Sequence, residues 1–488
     1  MTNSKISSFA NESSIHGIKF IFNPKSHKIS RLLWTLSFTL SIFGLIYYSK
    51  SVFVKYNSKP DFGVKIQQVA ISKIPFPAVT ICAPFFASPE FANFNEIMSK
   101  ITNDNATEKE IKYFIANLFA CDSKFLGNLF LEFNLTNFNI VELIKESSVN
   151  RFKFLNICEF EMYRSECHEI FTDRGICYTE NLQHFETIYD NNSISNDFYF
   201  ESNQNSETIW SLDRGYFDKS SQKIPFRANK KNIFTAIIAM KNSIADNVCI
   251  SNGKSFTFIL HLPNEIPTFF HDQFSLPYEN IKTVTLTATK FKADEELKNY
   301  SPKIRSCYFE NEKKLKFFKS YTKNICDLEC LANKTLEICG CVKFSMPREE
   351  GTPVCGLDKI ECYLEVIDNW PEEDIEAPCD CLKTCNDIEY SIRYEKLSNS
   401  EHIEALIEKI EQENLKNGTI TELFIGFKDH IVTEYETFVA YKLQNLIADI
   451  GGLLGLFLGC SVLSLIEIIY YFYEILKGKR NAANDGSF

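Results

Sequence analysis

The feature that most constrains this chain lies near its C-terminus: IADIGGLLGLFLGCSVLSLIEIIYYFYEILKGKR, Ile447 to Arg480. From Ile450 to Tyr473 it is apolar or small except for Ser461, Ser464 and Glu467. Those 24 residues reach roughly 36 Å as a helix, enough to cross a hydrocarbon core of about 30 Å with some tilt. A plain anchor would favour leucine where Gly451, Gly452, Gly455 and Gly459 stand. Small residues let helices approach closely, and an intramembrane carboxylate is costly unless it faces water or a partner. Two readings fit: a helix-packing face with a snorkelling Glu467, or a pore-lining helix whose backbone and hydroxyls contact ions.

A second apolar run, Leu32 to Tyr48, extends through Val54 and follows Lys19, Lys25, Lys28 and Arg31. A signal peptide would have a shorter apolar core and a small-residue cleavage site, so this reads as an uncleaved membrane helix. Lys477, Lys479 and Arg480 follow the C-terminal run. Basic flanks mark the cytosolic side, which puts both termini inside and everything between outside.

The middle agrees with that topology. Seventeen cysteines, mostly clustered, indicate an oxidising compartment. Sequons stand at Asn105, Asn134, Asn191, Asn299, Asn333 and Asn417. The chain has 488 residues and 44 phenylalanines, most of them outside the two apolar runs, so a large folded domain must lie between them. A net charge of −11 without a basic, aromatic-interleaved patch argues against nucleic acid as a partner. No Ser/His/Asp or metal-ligand spacing stands out among eight histidines, so neither an enzyme nor a metal or cofactor site is expected.

Phe76–Cys82, Phe256–Pro263, Thr283–Thr289 and Glu436–Leu443 alternate as strands, the last running straight into the C-terminal helix. Residues 85–155 and Glu401–Leu415 have helical spacing, and Lys313–Glu337 reads as two short helices. The class is α+β, with two transmembrane helices flanking a disulfide-rich extracellular domain. The densest cysteine pattern runs from Cys307 to Cys385. Its C-x-C and C-x₃-C spacings lack the paired C-x₂-C geometry of zinc sites, so disulfides are expected, with connectivity left open by spacing alone.

Asp449-Ile450-Gly451-Gly452, Gly459-Cys460-Ser461 and the downstream Glu467 resemble the second transmembrane segment of the degenerin/epithelial sodium channel family. There a Gly-x-Ser triplet forms the narrow selectivity region. His16-Gly17, by itself a turn with a titratable neighbour, looks like the same family's cytosolic gating motif. YSPKIRSCYF (Tyr300–Phe309) and CGCVKFSMPR (Cys339–Arg348) are nearest the insect pickpocket branch. The sequence departs at Tyr470, where the acid-sensing branch carries Asp. No Pro-Pro-x-Tyr motif follows Arg480, so ubiquitin-ligase control of the sodium-absorbing type is not expected.

The resemblance implies a trimeric plasma-membrane cation channel, sodium-selective or non-selective, amiloride-sensitive and opened by an extracellular stimulus. Subunits would be identical or related, and no cofactor is implied beyond the permeant sodium itself. It implies a gating segment over 1–31, transmembrane helices over 32–54 and 445–476, an extracellular domain over 55–444 and a cytosolic tail over 477–488. Within that domain a central β palm would carry a finger (about 83–176), a thumb (about 303–380) and a knuckle helix (about 400–415). Ala448, Asp449, Gly451, Gly452 and Glu467 would form gate and pore, and Gly459, Cys460 and Ser461 the filter. It also implies the pairs Cys82–Cys177, Cys158–Cys167, Cys307–Cys385, Cys326–Cys381, Cys330–Cys379, Cys339–Cys362 and Cys341–Cys355, with Cys121 and Cys249 unassigned. Rival readings are an ATP-gated channel, which would need several Lys and Arg converging on a triphosphate that this spacing does not show, and a two-anchor scavenger-type lipid receptor, which predicts plain anchors rather than a Gly-x-Ser triplet and Glu467.

Overall fold

The structure, a computed structural model, describes residues 13–23, 26–57, 60–83, 94–103, 105–118, 139–148, 155–160, 167–198, 209–217, 225–241, 255–371, 379–399 and 418–484. In chain order the principal elements begin with α1 (Ile18–Phe22), α2 (Lys28–Asn57), β1 (Phe62–Ala70), β2 (Ala78–Cys82), α3 (Phe94–Thr102), α4 (Glu108–Leu118) and α5 (Ile140–Ser147). Strands β3 (Leu155–Phe160), β4 (His168–Thr172), β5 (Gly175–Glu180), β6 (Ile233–Lys241), β7 (Ser255–His261), β8 (Gln273–Pro277) and β9 (Asn280–Ala293) follow. The chain closes with α6 (Lys323–Cys339), α7 (Ile360–Asp368), β10 (Asp387–Asn399), β11 (Gly418–Phe427), β12 (Ile431–Val439), α8 (Leu443–Leu458) and α9 (Val462–Asn484). Two compact units result. One holds Met1–Val64, Asp294–Tyr300 and Thr437–Phe488; the other holds Lys65–Ala293 and Ser301–Glu436.

In the first unit α2 is a 30-residue helix, seven residues longer than the 32–54 expected, with no buried residue. Its hydroxyls are absorbed locally: Thr35 Oγ1 donates to the Arg31 carbonyl at 2.8 Å and Thr39 Oγ1 to that of Thr35 at 2.7 Å. It is long and apolar enough to cross a membrane. The C-terminal run departs from the single helix expected over 445–476. It breaks after Leu458, and α8 and the first part of α9 meet at 73°.

The second unit is built on a seven-stranded sheet ordered β1-β12-β9-β11-β6-β3, with β10 also paired to β9. A five-stranded sheet runs β8-β7-β2-β5-β4. Alternation along the strands sends Val284, Leu286, Leu423 and Ile425 into a core with Phe76, Phe160 and Phe234. Phe160 meets Phe76 edge-on at 4.8 Å, an arrangement aromatic quadrupoles favour. A second core joins α4 and α5 to Phe171, Phe185 and Tyr189.

Among the described residues seven disulfides staple this unit, in the same pairs that the resemblance implied. Helix α6 presents Cys326 and Cys330 one turn apart, which meet Cys381 and Cys379 in antiparallel order, while Cys339 at its end reaches Cys362 on α7. Each closed loop contributes about 2–4 kcal/mol in the chain-entropy account.

Two sequence expectations are corrected here. Lys313–Glu337 is not a helical pair: only α6 forms, capped by Thr322, whose hydroxyl accepts from Ile325 N. Upstream, the Glu329 carboxylate accepts the N–H groups of Lys316 and Phe317, so the buried helix face holds that segment out of helical geometry. The strand expected over 436–443 ends at Val439, because Lys442 already caps α8. Glu401–Leu415, Cys121, Cys249, Asn134 and Asn417 lie outside the described residues.

Candidate functional site

The break in the C-terminal run is specified by its own residues. Gly459 adopts φ +64°, a left-handed conformation that costs a side-chain-bearing residue roughly 1–2 kcal/mol. Its N–H donates to the Gly455 carbonyl at 2.9 Å, and the next N–H, from Cys460, reaches Leu454 O at 3.2 Å. Ser461 then caps the following helix: its Oγ accepts from Ser464 N at 3.3 Å, and Ser464 Oγ accepts from Ser461 N at 3.0 Å. A helix stop and a helix start three residues apart leave Gly459-Cys460-Ser461 as non-helical backbone between apolar helices. Cys460 is the one free thiol among the described cysteines.

The N-terminal segment lies against this break. His16 N donates to the Leu458 carbonyl at 3.0 Å, satisfying one of the acceptors left over at the end of α8. A Cβ on Gly459 would overlap the His16 imidazole. Ser14 reaches further, its Oγ 2.6 Å from Ser464 Oγ and donating to Glu467 Oε2 at 2.9 Å. Ser14 N also donates to that oxygen, at 3.3 Å. Gly17, at φ +88°, turns the chain into α1. There Phe20 stacks on Trp34 of α2 with centroids 4.6 Å apart. On α2, Gly44 makes room for Phe457, whose ring a Cβ there would strike.

The structure therefore brings His16, Gly459, Ser461 and Glu467 together and leaves the remaining pore candidates elsewhere on α8. Ala448, Asp449, Gly451 and Gly452 begin about 11 residues before the break, roughly 16 Å along the helix. All four are exposed, and a Cβ on either glycine would meet nothing within 4 Å. Asp449 accepts a 2.5 Å hydrogen bond from the Tyr441 hydroxyl, and that bond pushes the phenol up to about 12. Lys442, just before α8, pairs with Glu296 at 2.7 Å.

Sequence reasoning missed Ser14, Ser464, Gly44 and Tyr441. Ser461-x-x-Ser464 was readable as a capping pair, and Gly44 as a close-approach point within a leucine-rich run. Nothing local marked Ser14, whose partners are more than 400 positions away.

Among the described residues no group of three or more His, Cys, Asp or Glu is placed to hold a metal ion. Asn105, Asn191, Asn299 and Asn333 are all exposed. In the second unit Asp387 stands apart electrostatically. Burial, reinforced by the charge of Glu265, pushes its carboxyl up to about 6. For Glu434, burial works against ionisation, but Lys290 at 2.7 Å and Gln67 at 2.6 Å outweigh it and hold its carboxyl below the usual range.

A family profile described as amiloride-sensitive sodium channel matches residues 9–471. Pickpocket protein 28 of Drosophila melanogaster is 24% identical over 484 residues, covering 95% of this chain and 77% of that protein. Acid-sensing ion channel 1C of Danio rerio is 27% identical over 506 residues, covering 98% and 85%. Among solved structures, a cryo-EM structure of a proton-activated chloride channel covers 91% of this chain and 96% of its own at 7% identity. Its TM-score of 0.27 is too low for any argument about fold.

Proposed function

Since this chain belongs to the amiloride-sensitive sodium channel family and is a cation-channel protein rather than an enzyme, we propose that it is one subunit of a trimeric plasma-membrane channel. Identical or related subunits complete it, and it carries sodium, alone or with other small cations. Both termini lie in the cytosol, α2 and the bent α8–α9 pair each cross the bilayer, and residues 55–444 lie outside. There the palm, finger, thumb and knuckle receive an extracellular stimulus. Family membership also supports block by amiloride. It favours neither a lipid-binding receptor nor an ATP-gated channel.

The observation that carries the reading is the helix break itself. Non-helical backbone at membrane depth is tolerated only where it is buried in protein or lines a water-filled cavity. Here Ser461 is exposed, and Gly459-Cys460-Ser461 sits between two apolar helices. Three copies around an axis would present carbonyl dipoles and the Ser461 hydroxyl in place of part of an ion's hydration shell. His16 and Ser14 would hold the break and the Glu467 carboxylate in register on the cytosolic side. The open small-residue face at Ala448, Gly451 and Gly452 supports close approach of neighbouring copies and a gate at that level.

Whole-cell recording from cells expressing this chain, alone and with a related subunit, tests the proposal across protons, peptides, small organic ligands and stretch. A cation current reduced by amiloride is expected. An N-terminal tag should label only after permeabilisation. Surface-delivered protein without current in any combination would contradict it.

A further inference from the structure

A groove of about 830 Å3 lies on the outer face of the seven-stranded sheet, within the second unit. Sheet register builds its floor. Tyr394 on β10 opposes Thr285 on β9. Thr285 opposes Gly426 on β11, and Gly426 opposes Ile233 on β6. The neighbouring rung sets Thr283 beside Phe424. Alternation turns Val284, Leu286, Leu423 and Ile425 to the core, so Thr283, Thr285, Phe424 and Gly426 belong to the other face.

Gly426 makes the hollow. Along this rung every other strand carries a side chain, and only here is the backbone bare. An added Cβ would touch Ile233 Cγ1 at 3.6 Å and the Asn232 carbonyl at 3.9 Å, both ordinary contacts. Anything longer would project into the groove. The result is a trough with aromatic and aliphatic walls and two threonines on its floor. Such a volume lies within the range of small-molecule sites, which pair a mostly apolar lining with a few oriented polar groups.

The charged groups on the rim are cationic in excess. Lys230, Arg393 and Lys428 all line the groove. Asp429 pairs with Arg393 at 3.0 Å, and the nearby Glu395 is taken up by Lys282 at 3.1 Å. Among the described residues neither Lys230 nor Lys428 forms an ion pair, and both are exposed. On a chain of net charge −11 this is a local reversal of sign. A hydrocarbon trough rimmed by lysines and an arginine is complementary to one class of small molecule. We propose that this groove binds an amphipathic anion, with a hydrocarbon body along Tyr394, Phe424 and Ile233 and a carboxylate or sulfate head at Lys230 and Lys428.

The test uses the full-length protein in lipid nanodiscs and a ten-carbon carboxylate bearing a diazirine at its far end, with label mapped by mass spectrometry. Label is expected on peptides containing Tyr394 or Phe424 and should be competed by excess decanoate. The matching alcohol should label there far less. Lys230→Glu combined with Lys428→Glu should lower groove labelling about tenfold, the equivalent of 1.4 kcal/mol. Gly426→Leu should block it by filling the trough. Labelling of α2 in the same samples should stay constant, showing that probe loading and folding are unchanged. The proposal is overturned if the alcohol labels equally, if either variant leaves groove labelling unchanged, or if no label reaches these strands because a neighbouring subunit seals them.

Discussion

The backbone N–H of His16 donates to the carbonyl of Leu458 at 3.0 Å, so the N-terminal segment satisfies one of the acceptors left over where the helix stops before Gly459. The imidazole then fills the space a side chain at 459 would need. A His-Gly pair near one end of the chain and a Gly-x-Ser triplet near the other thus share one piece of packing.

Gly459→Ala should therefore be costly twice over, through the left-handed backbone and through overlap with His16. The backbone term alone is about 1–2 kcal/mol, enough to shift a two-state equilibrium roughly tenfold. Current should fall while surface expression persists. His16→Ala should relieve the overlap part, so a double-mutant cycle on current should give a coupling of at least about 0.5 kcal/mol. Strictly additive effects would contradict the contact.

Ala448→Val should open the channel constitutively. Ala448 is exposed on α8 and stands one turn before Gly452, at a level where copies would crowd. Overpacking typically costs about 1–3 kcal/mol per site. Three copies could bias a gate by several kcal/mol, enough to shift populations strongly. Surface-expressed Ala448→Val that stays silent, while the parent chain can be opened, would refute the gate assignment.

Asp387 predicts a pH effect with a defined sign. Burial, reinforced by Glu265, pushes its carboxyl from 3.8 to about 6. A raised carboxyl favours the folded state while protonated, and that contribution is lost as pH rises through about 6. Above that pH the native fold holds a half-buried, poorly solvated charge that Asp387→Asn does not carry. The variant should thus melt higher than the parent at pH 7.5, its unfolding free energy greater by at most about 3 kcal/mol, and the gap should close as pH falls toward 4. Paired Tm measurements across that range check it. A gap independent of pH would show that Asp387 does not titrate there.

Much of this was legible in the sequence because it was local. Two apolar runs with basic flanks, alternating strands and the spacing of Cys326, Cys330 and Cys339 are short-range patterns. Gly459 and Ser461 were singled out as letters, yet the 73° bend they make was not, because hydropathy averages across a helix stop. The Lys313–Thr322 segment looked helical by composition but is held by Glu329 from another turn of chain. Ser14 was invisible for the same reason, since Ser464 and Glu467 become its neighbours only in three dimensions. The groove needed the register of four strands before its glycine meant anything.

The most direct test of the central claim, that Gly459-Cys460-Ser461 is the ion filter, is the reversal potential in mixed sodium and potassium solutions. Ser461 also caps α9, so Ser461→Ala carries a folding cost of about 1 kcal/mol. Ser461→Thr keeps a hydroxyl and serves as the control for that cost. The account predicts that Ser461→Ala moves the reversal potential toward lost sodium preference while channels still reach the surface. Ser461→Thr should stay nearer the parent. If Ser461→Ala and Gly459→Ala both conduct with the parent's reversal potential, this break is a packing feature and the filter lies elsewhere.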